Sequence, residues 1–323
     1  MFPLHGSYWL IRPRLSLSLC QLVGAVAAAL CVIPVTSRGQ IFVANFENNT
    51  IGEYNATTGA TINSSFISSG LSEPTGIVLS GGNLFVANFE NNTIGDYNAT
   101  TGATINSSFI SSGLSGPEGI ALSGGNLFVG NASNNTIGEY NAATGATINS
   151  SFISSGLSQP TGIVLSGGNL FVGNANNNTI GEYNATTGAT INSSFISGLG
   201  LSASAGNIAL SGGNLFVTNG PNAIGEYNAT TGATINSSFI SGLSEPVGIA
   251  LSGGNLFVTN FQGTIGEYNA TTGATINSSL VSGLSGPEGI VVSSSVPEPA
   301  STTLLLLGMT AIFGVKRLLR KLA

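Results

Sequence analysis

The heptapeptide Gly-Ala-Thr-Ile-Asn-Ser-Ser is written six times in this chain, beginning at Gly59, Gly102, Gly145, Gly188, Gly232 and Gly273. The tyrosine of Tyr-Asn-Ala keeps step at Tyr54, Tyr97, Tyr140, Tyr183, Tyr227 and Tyr268. Both series advance by 43, 43, 43, 44 and 41 residues. A unit of that length, punctuated by Gly-rich turns and short apolar runs, fits a β-propeller blade better than a helical repeat.

Each unit reads as four short strands. In the second copy, Ile77 to Leu79 is apolar and Ser80-Gly81-Gly82-Asn83 is a hairpin turn. Leu84 to Ala87 is the second strand, Asn88 to Thr93 a polar loop, and Ile94 to Tyr97 the third strand. Asn98 to Gly102 turns again, and Thr104 to Ile110 is a polar fourth strand. Apolar content falls from first strand to fourth, as expected of a blade whose inner strand is buried and whose outer strand meets water.

Counting strands decides the topology. First strands begin near Ile77, Ile120, Ile163, Ile208, Ile249 and Ile290, but the first copy of strands two to four already starts at Ile41. The repeat region therefore opens with a blade that lacks its inner strand and closes with an inner strand that lacks followers. Pairing the two completes a sixth blade. The expected fold is all-β: a six-bladed propeller over residues 40–293, sealed by its C-terminal strand. An open β-solenoid stack is the rival, and it needs capping segments that the sequence does not display.

Only 6% of residues are charged, and their placement is uneven. Between Gln40 and Val315 there is no Lys, Arg, His, Cys or Trp, and all thirteen acidic residues lie in that stretch. Without cations this region cannot neutralise phosphates, so no nucleic-acid partner is expected. Without imidazole or thiolate it cannot run Ser-His-Asp, Cys-His or His-zinc chemistry. Cys20 and Cys31 lie in the N-terminal apolar run, so the repeats hold no disulfide.

The ends read as addresses. Residues 1–39 have basic Arg12 and Arg14, an apolar run from Leu15 to Val35, and Ser37-Arg38-Gly39 before Gln40. This is the order of a signal peptide cleaved by signal peptidase before Gln40; an uncleaved anchor is the alternative. At the other end come Val296-Pro297-Glu298-Pro299, then a mostly apolar run from Thr302 to Val315. A basic tip of Lys316, Arg317, Arg320 and Lys321 follows. The apolar run forms a transmembrane helix of about residues 302–319 if the basic side chains snorkel, with the tip on the cytoplasmic side. A plain tail anchor has the same ingredients. The order of parts across residues 294–323, with its motif at 296–301, resembles the PEP-CTERM sorting signal of exported bacterial proteins. That resemblance implies cleavage near the Pro-Glu-Pro by an exosortase.

The repeats themselves resemble NHL repeats, in which Pro-x-Gly-Ile leads to an apolar strand and then Gly-Asn-hydrophobic-aromatic-Val. Here these are Pro74-Thr75-Gly76-Ile77 and Gly82-Asn83-Leu84-Phe85-Val86. The chain departs from the family at Asn88 and Thr93, where the usual Asp and Arg are missing. The basic surfaces through which some NHL domains bind RNA are absent, as are the histidines of enzymes in this propeller group.

One carboxylate recurs in the third strand: Glu53, Asp96, Glu139, Glu182, Glu226 and Glu267. A ring of oxygen donors would suit Ca²⁺, the only cofactor the sequence suggests; a strand-end acid bonded to neighbouring Ser, Thr or Asn is the plainer expectation. Six equivalent acids lack the asymmetry of a glycosidase pair. Asn-x-Ser/Thr sequons such as Asn55-Ala56-Thr57 and Asn63-Ser64-Ser65 read as glycan acceptors or simply as turn residues. The loop between strands two and three varies from Asn-Phe-Glu-Asn-Asn to Asn-Gly-Pro-Asn-Ala, and the connection between blades varies on the same face. That face, with Phe46, Phe89 and Phe261, is the candidate contact surface, against drift in unconstrained loops.

The expected function is that of an exported, non-catalytic binding or display protein of the cell surface or extracellular matrix. Exopolysaccharide or surface proteins are its expected partners. Its expected route passes transiently through the cell-envelope membrane on the C-terminal helix. A calcium-dependent lyase or lactonase propeller and a periplasmic ligand-sensing domain are the competing classes.

Overall fold

The computed structural model describes residues 39–201 and 208–293. The signal peptide expected over residues 1–39, apart from Gly39, lies outside the described residues. So do Val296, Pro297, Glu298 and Pro299, the apolar run, and the basic tip of Lys316, Arg317, Arg320 and Lys321. Among the described residues no helix is long and apolar enough to cross a membrane.

The repeat folds into six four-stranded antiparallel sheets. Blade II shows the pattern: Pro74–Ser80, Asn83–Asn88, Thr93–Asn98 and Thr104–Ile110. Ser80 pairs with Asn83 across a two-residue turn in which Gly81 and Gly82 have φ of 56° and 89°. Two positive φ values in succession make the turn whose twist matches the flanking strands, and side chains with a Cβ resist it. The third and fourth strands are joined by an Asx turn. Asn98 Oδ1 accepts from the Thr100 and Thr101 amides, both at 2.9 Å.

The ring closes as the strand count requires. The blade I sheet consists of Pro287–Val292, Gln40–Asn45, Thr50–Asn55 and Thr61–Ile67, in that order. Its seam pairs Ile41 with Val292, Phe42 with Val291 and Val43 with Ile290. Ser293 finishes it twice over: its Oγ accepts from the Gln40 amide and its amide donates to the Gln40 carbonyl, both at 2.8 Å. Inner strands pack against one another in cyclic order, the last blade meeting the first through Pro287–Val292. A linear solenoid has no such contact, so that rival is set aside.

Cores lie between blades. Phe42, Ala44, Ile51 and Ile67 of blade I cluster with Ile77, Leu84, Val86 and Tyr97 of blade II, and the pattern repeats around the ring. Each fully buried Phe, Ile, Leu or Val contributes about 1.5–3 kcal/mol, and neither blade collects this alone. Burial corrects the expected gradient. The second and third strands are the most buried, while the inner strand is buried on fewer positions, as in Pro74–Ser80 against Asn83–Asn88. The second strand has a blade on each side and a strand on each edge.

The outer strand is exposed, with Ile62, Ile105, Ile148, Ile191, Ile235 and Ile276 each about half open to water. Its edge is irregular. Ile51 pairs with Ile67 but Glu53 with Asn63, and Asn63 Oδ1 accepts from the Ser65 amide at 3.0 Å. Such a bulge blunts an edge that has no charge to keep other strands away.

The candidate contact face and the inter-blade grooves

Antiparallel strands place the loop between strands two and three on the same face as the connection between blades, and hydrogen bonds tie them together. Phe46, Phe89 and Phe261 open this loop in blades I, II and VI. Their amides donate to the carbonyls of Gly286, Glu73 and Glu245 at 3.0, 3.1 and 2.9 Å. All three rings are half-buried. The Phe89 ring lies over Gly116 and that of Phe261 over Gly286, each in the connection that enters the next blade. Phe89 and Phe261 therefore fill the step between successive blades as well as facing solvent.

Asparagines complete the stitching. Asn88, Asn131 and Asn174 are fully buried at the end of the second strand, and each Oδ1 accepts from the amide of Ser72, Ser115 or Ser158. Asn49, Asn92 and Asn135 adopt left-handed φ near 57° and reach forward to the amides of Glu73, Gly116 and Gln159 at 2.6 Å. Asn tolerates this conformation better than other residues with a Cβ. Sequence reasoning took these residues for ordinary loop polarity.

Where the loops depart most from the repeat, the face is hollow. Gly200, Gly220, Pro221, Glu245, Pro246, Val247 and Phe261 line a cavity of about 340 Å³ between blades V and VI. Beside it, Gly220-Pro221-Asn222 forms a 3-10 turn in place of the usual loop.

The six third-strand acids sit toward the opposite face, each bonded to the residue that begins the second strand of its own blade. Gln40 donates to Glu53 at 2.6 Å, Asn83 to Asp96 at 3.2 Å and Asn126 to Glu139 at 2.7 Å. Asn169 donates to Glu182 at 2.6 Å, Asn214 to Glu226 at 2.8 Å and Asn255 to Glu267 at 2.7 Å. Burial raises the pKa of Glu53 and of Asp96. Among the described residues no group of three or more His, Cys, Asp or Glu is arranged to hold a metal ion. Each acid is committed to a partner within its own blade.

Two further acids were passed over in the sequence. The residue after the inner-strand proline is Thr75, Glu118, Thr161, Val247 and Glu288 in blades II, III, IV, VI and I. Burial pushes the carboxyl of Glu118 up to about 8, with repulsion from Glu288 adding to it. Glu288 is likewise pushed up to about 8 by burial, reinforced by Glu73. The backbones here are close: a Cβ on Gly76 would collide with the Glu118 carbonyl and one on Gly289 with that of Thr75. Thr75 Oγ1 bridges the same gap, donating to the Pro117 carbonyl at 3.0 Å. The contrast of Pro-Glu-Gly with Pro-Thr-Gly was the available signal.

No family model matches this chain, and no curated protein matches it. Solved structures share its fold. A chain in the crystal structure of a nidogen/laminin complex superposes with a TM-score of 0.66 at 16% identity, over 81% of this chain and 100% of that one. A protein of unknown function from Bacteroides caccae superposes at 0.60 with 17% identity, over 79% and 99%. At these identities the likeness is one of fold.

Proposed function

We propose that this chain is an exported, non-catalytic binding protein, displayed at the cell surface or in the extracellular matrix and sorted through its PEP-CTERM-like end. The observation that carries this reading is the division of labour between faces. Turns on one face are nearly identical from blade to blade, while loops on the other diverge and enclose a cavity at Phe261. A rigid ring with one variable face is the usual arrangement for recognition by loops. The absence of His, Lys, Arg and Cys from residues 40–315 removes the usual acids, bases and nucleophiles. Similarity in fold to a chain from a nidogen/laminin complex agrees with a protein-binding role. A surface protein or exopolysaccharide is the proposed partner, and an exosortase-type enzyme the proposed processor.

The test is retention of the purified propeller on surface material from the producing cells. Combined Phe46→Ala, Phe89→Ala and Phe261→Ala should cut retention at least tenfold, with the melting transition still cooperative. Unchanged retention by the triple variant overturns the assignment of the contact face.

A further inference from the structure

The nearly constant face carries a second feature that the contact-face reading does not use. Between blades III and IV a groove of about 490 Å³ is lined by Asn126, Phe128 and Glu139 on one wall. On the other wall are Leu165 to Gly168 and Thr186. Partly buried Leu165 and Ala185 give the groove an apolar floor, with Phe128 buried beneath it. Above it, Asn126 Nδ2 holds one oxygen of Glu139 at 2.7 Å, leaving the second for a ligand. Hydroxyls of Ser123, Ser166 and Thr186 complete the rim.

We infer that this groove, and its repeats between blades IV and V and between V and VI, bind a neutral saccharide unit. Fixed acceptors and donors over an apolar floor match a sugar ring, which presents hydroxyls at its edge and C–H groups on its face. Charge selects against the alternatives. No cation is available for an anionic ligand anywhere in residues 39–293, and the single carboxylate is already committed to an amide. The repeats share the construction. In the same way partly buried Leu210 and Ala229 pack against the core that holds Phe171, and Leu251 and Ala270 against the core that holds Phe216. Glu182 and Glu226, held by Asn169 and Asn214, are partly open to solvent like Glu139. Glu53, Asp96 and Glu267 are buried, which separates those three grooves from the binding set. Equivalent sites on one rigid ring suit a polymer with a repeating unit, because the second and third contacts become intramolecular.

The test is saturation-transfer NMR on the purified propeller with neutral trisaccharides of glucose, mannose and galactose. Transfer to ring protons of at least one sugar is expected. It should fall at least fivefold when the exposed Thr186, Thr230 and Thr271 at the groove rims are replaced together by Arg. Glu139→Gln with Glu182→Gln and Glu226→Gln, which keep the shape, should weaken it independently. No transfer from any sugar, undiminished transfer in both variants, or stronger transfer to a uronic-acid trisaccharide overturns the inference. Only protein and sugar are present, so a failure here leaves the contact-face reading standing.

Discussion

The recurring tyrosine shows how much a single deleted residue can change. Tyr97, Tyr140 and Tyr183 donate from Oη to the carbonyls of Gly70, Gly113 and Gly156 in the preceding blade's exit, at 2.7, 2.7 and 2.6 Å. Burial pushes all three hydroxyls up to about 12. Those exits read Ser-Ser-Gly, whereas the later ones, at Gly198, Gly242 and Gly283, have one serine fewer. The missing residue withdraws the carbonyl, and Tyr227 turns instead toward Asn219 at 3.4 Å. Removing a hydroxyl that satisfies a carbonyl costs about 1–2 kcal/mol. Tyr140→Phe should therefore lower unfolding free energy by about that amount in urea titrations, and Tyr268→Phe by clearly less. The glycine that opens each heptapeptide is equally local in cause. Gly102 has φ of 69°, which its own turn requires. Such turn residues were legible in the sequence because their reason lies within a few positions. The Asn92 latch was not, since its partner Gly116 stands 24 residues further on.

Among elements, the inner strand was the least well read. Its apolar Ile-x-Leu core was visible, but Pro74–Gly76 belongs to it too, with a bulge between Pro74 and Ile77. A proline has no amide to give to the ladder, so a register shift beside it is natural. What pattern cannot show is that inner strands converge. Convergence buries Glu118 where Glu288 disfavours its charge and Glu288 where Glu73 does, and consequences for pH follow. Both pKa values rise on folding, from 4.5 to about 8, so the folded chain holds protons that the unfolded chain releases. The stability they contribute is complete below about pH 4.5 and is lost as pH rises through about 8. Burial of Glu53 and Asp96 acts in the same direction. The melting temperature should fall between about pH 5 and pH 9, and Glu118→Gln with Glu288→Gln should flatten that fall. A melting temperature that rises across the range would contradict the placement of these acids.

At the scale of the molecule, ring closure was the most legible property, because a count of strands left one unpaired at each end of the repeats. Closure joins residues some 250 positions apart, and Gln40 meets Ser293 in two hydrogen bonds. The seam is slightly imperfect: Asn45 Oδ1, the counterpart of the oxygen with which Asn88 takes the Ser72 amide, is buried without a partner. Ser293 therefore belongs to the clasp. Gly39 also contributes, its carbonyl accepting from the Ala56 amide at 2.9 Å just as Gly82 accepts from Ala99. A ring delivered by a removable handle must lose the handle without losing the clasp. The most direct measurement is mass spectrometry of the C-terminal peptide from protein recovered at the surface of the producing cells. The account predicts a terminus after Ser293 and before Thr302. Recovered protein that still carries Lys316 to Lys321, or that ends before Ser293, would contradict it.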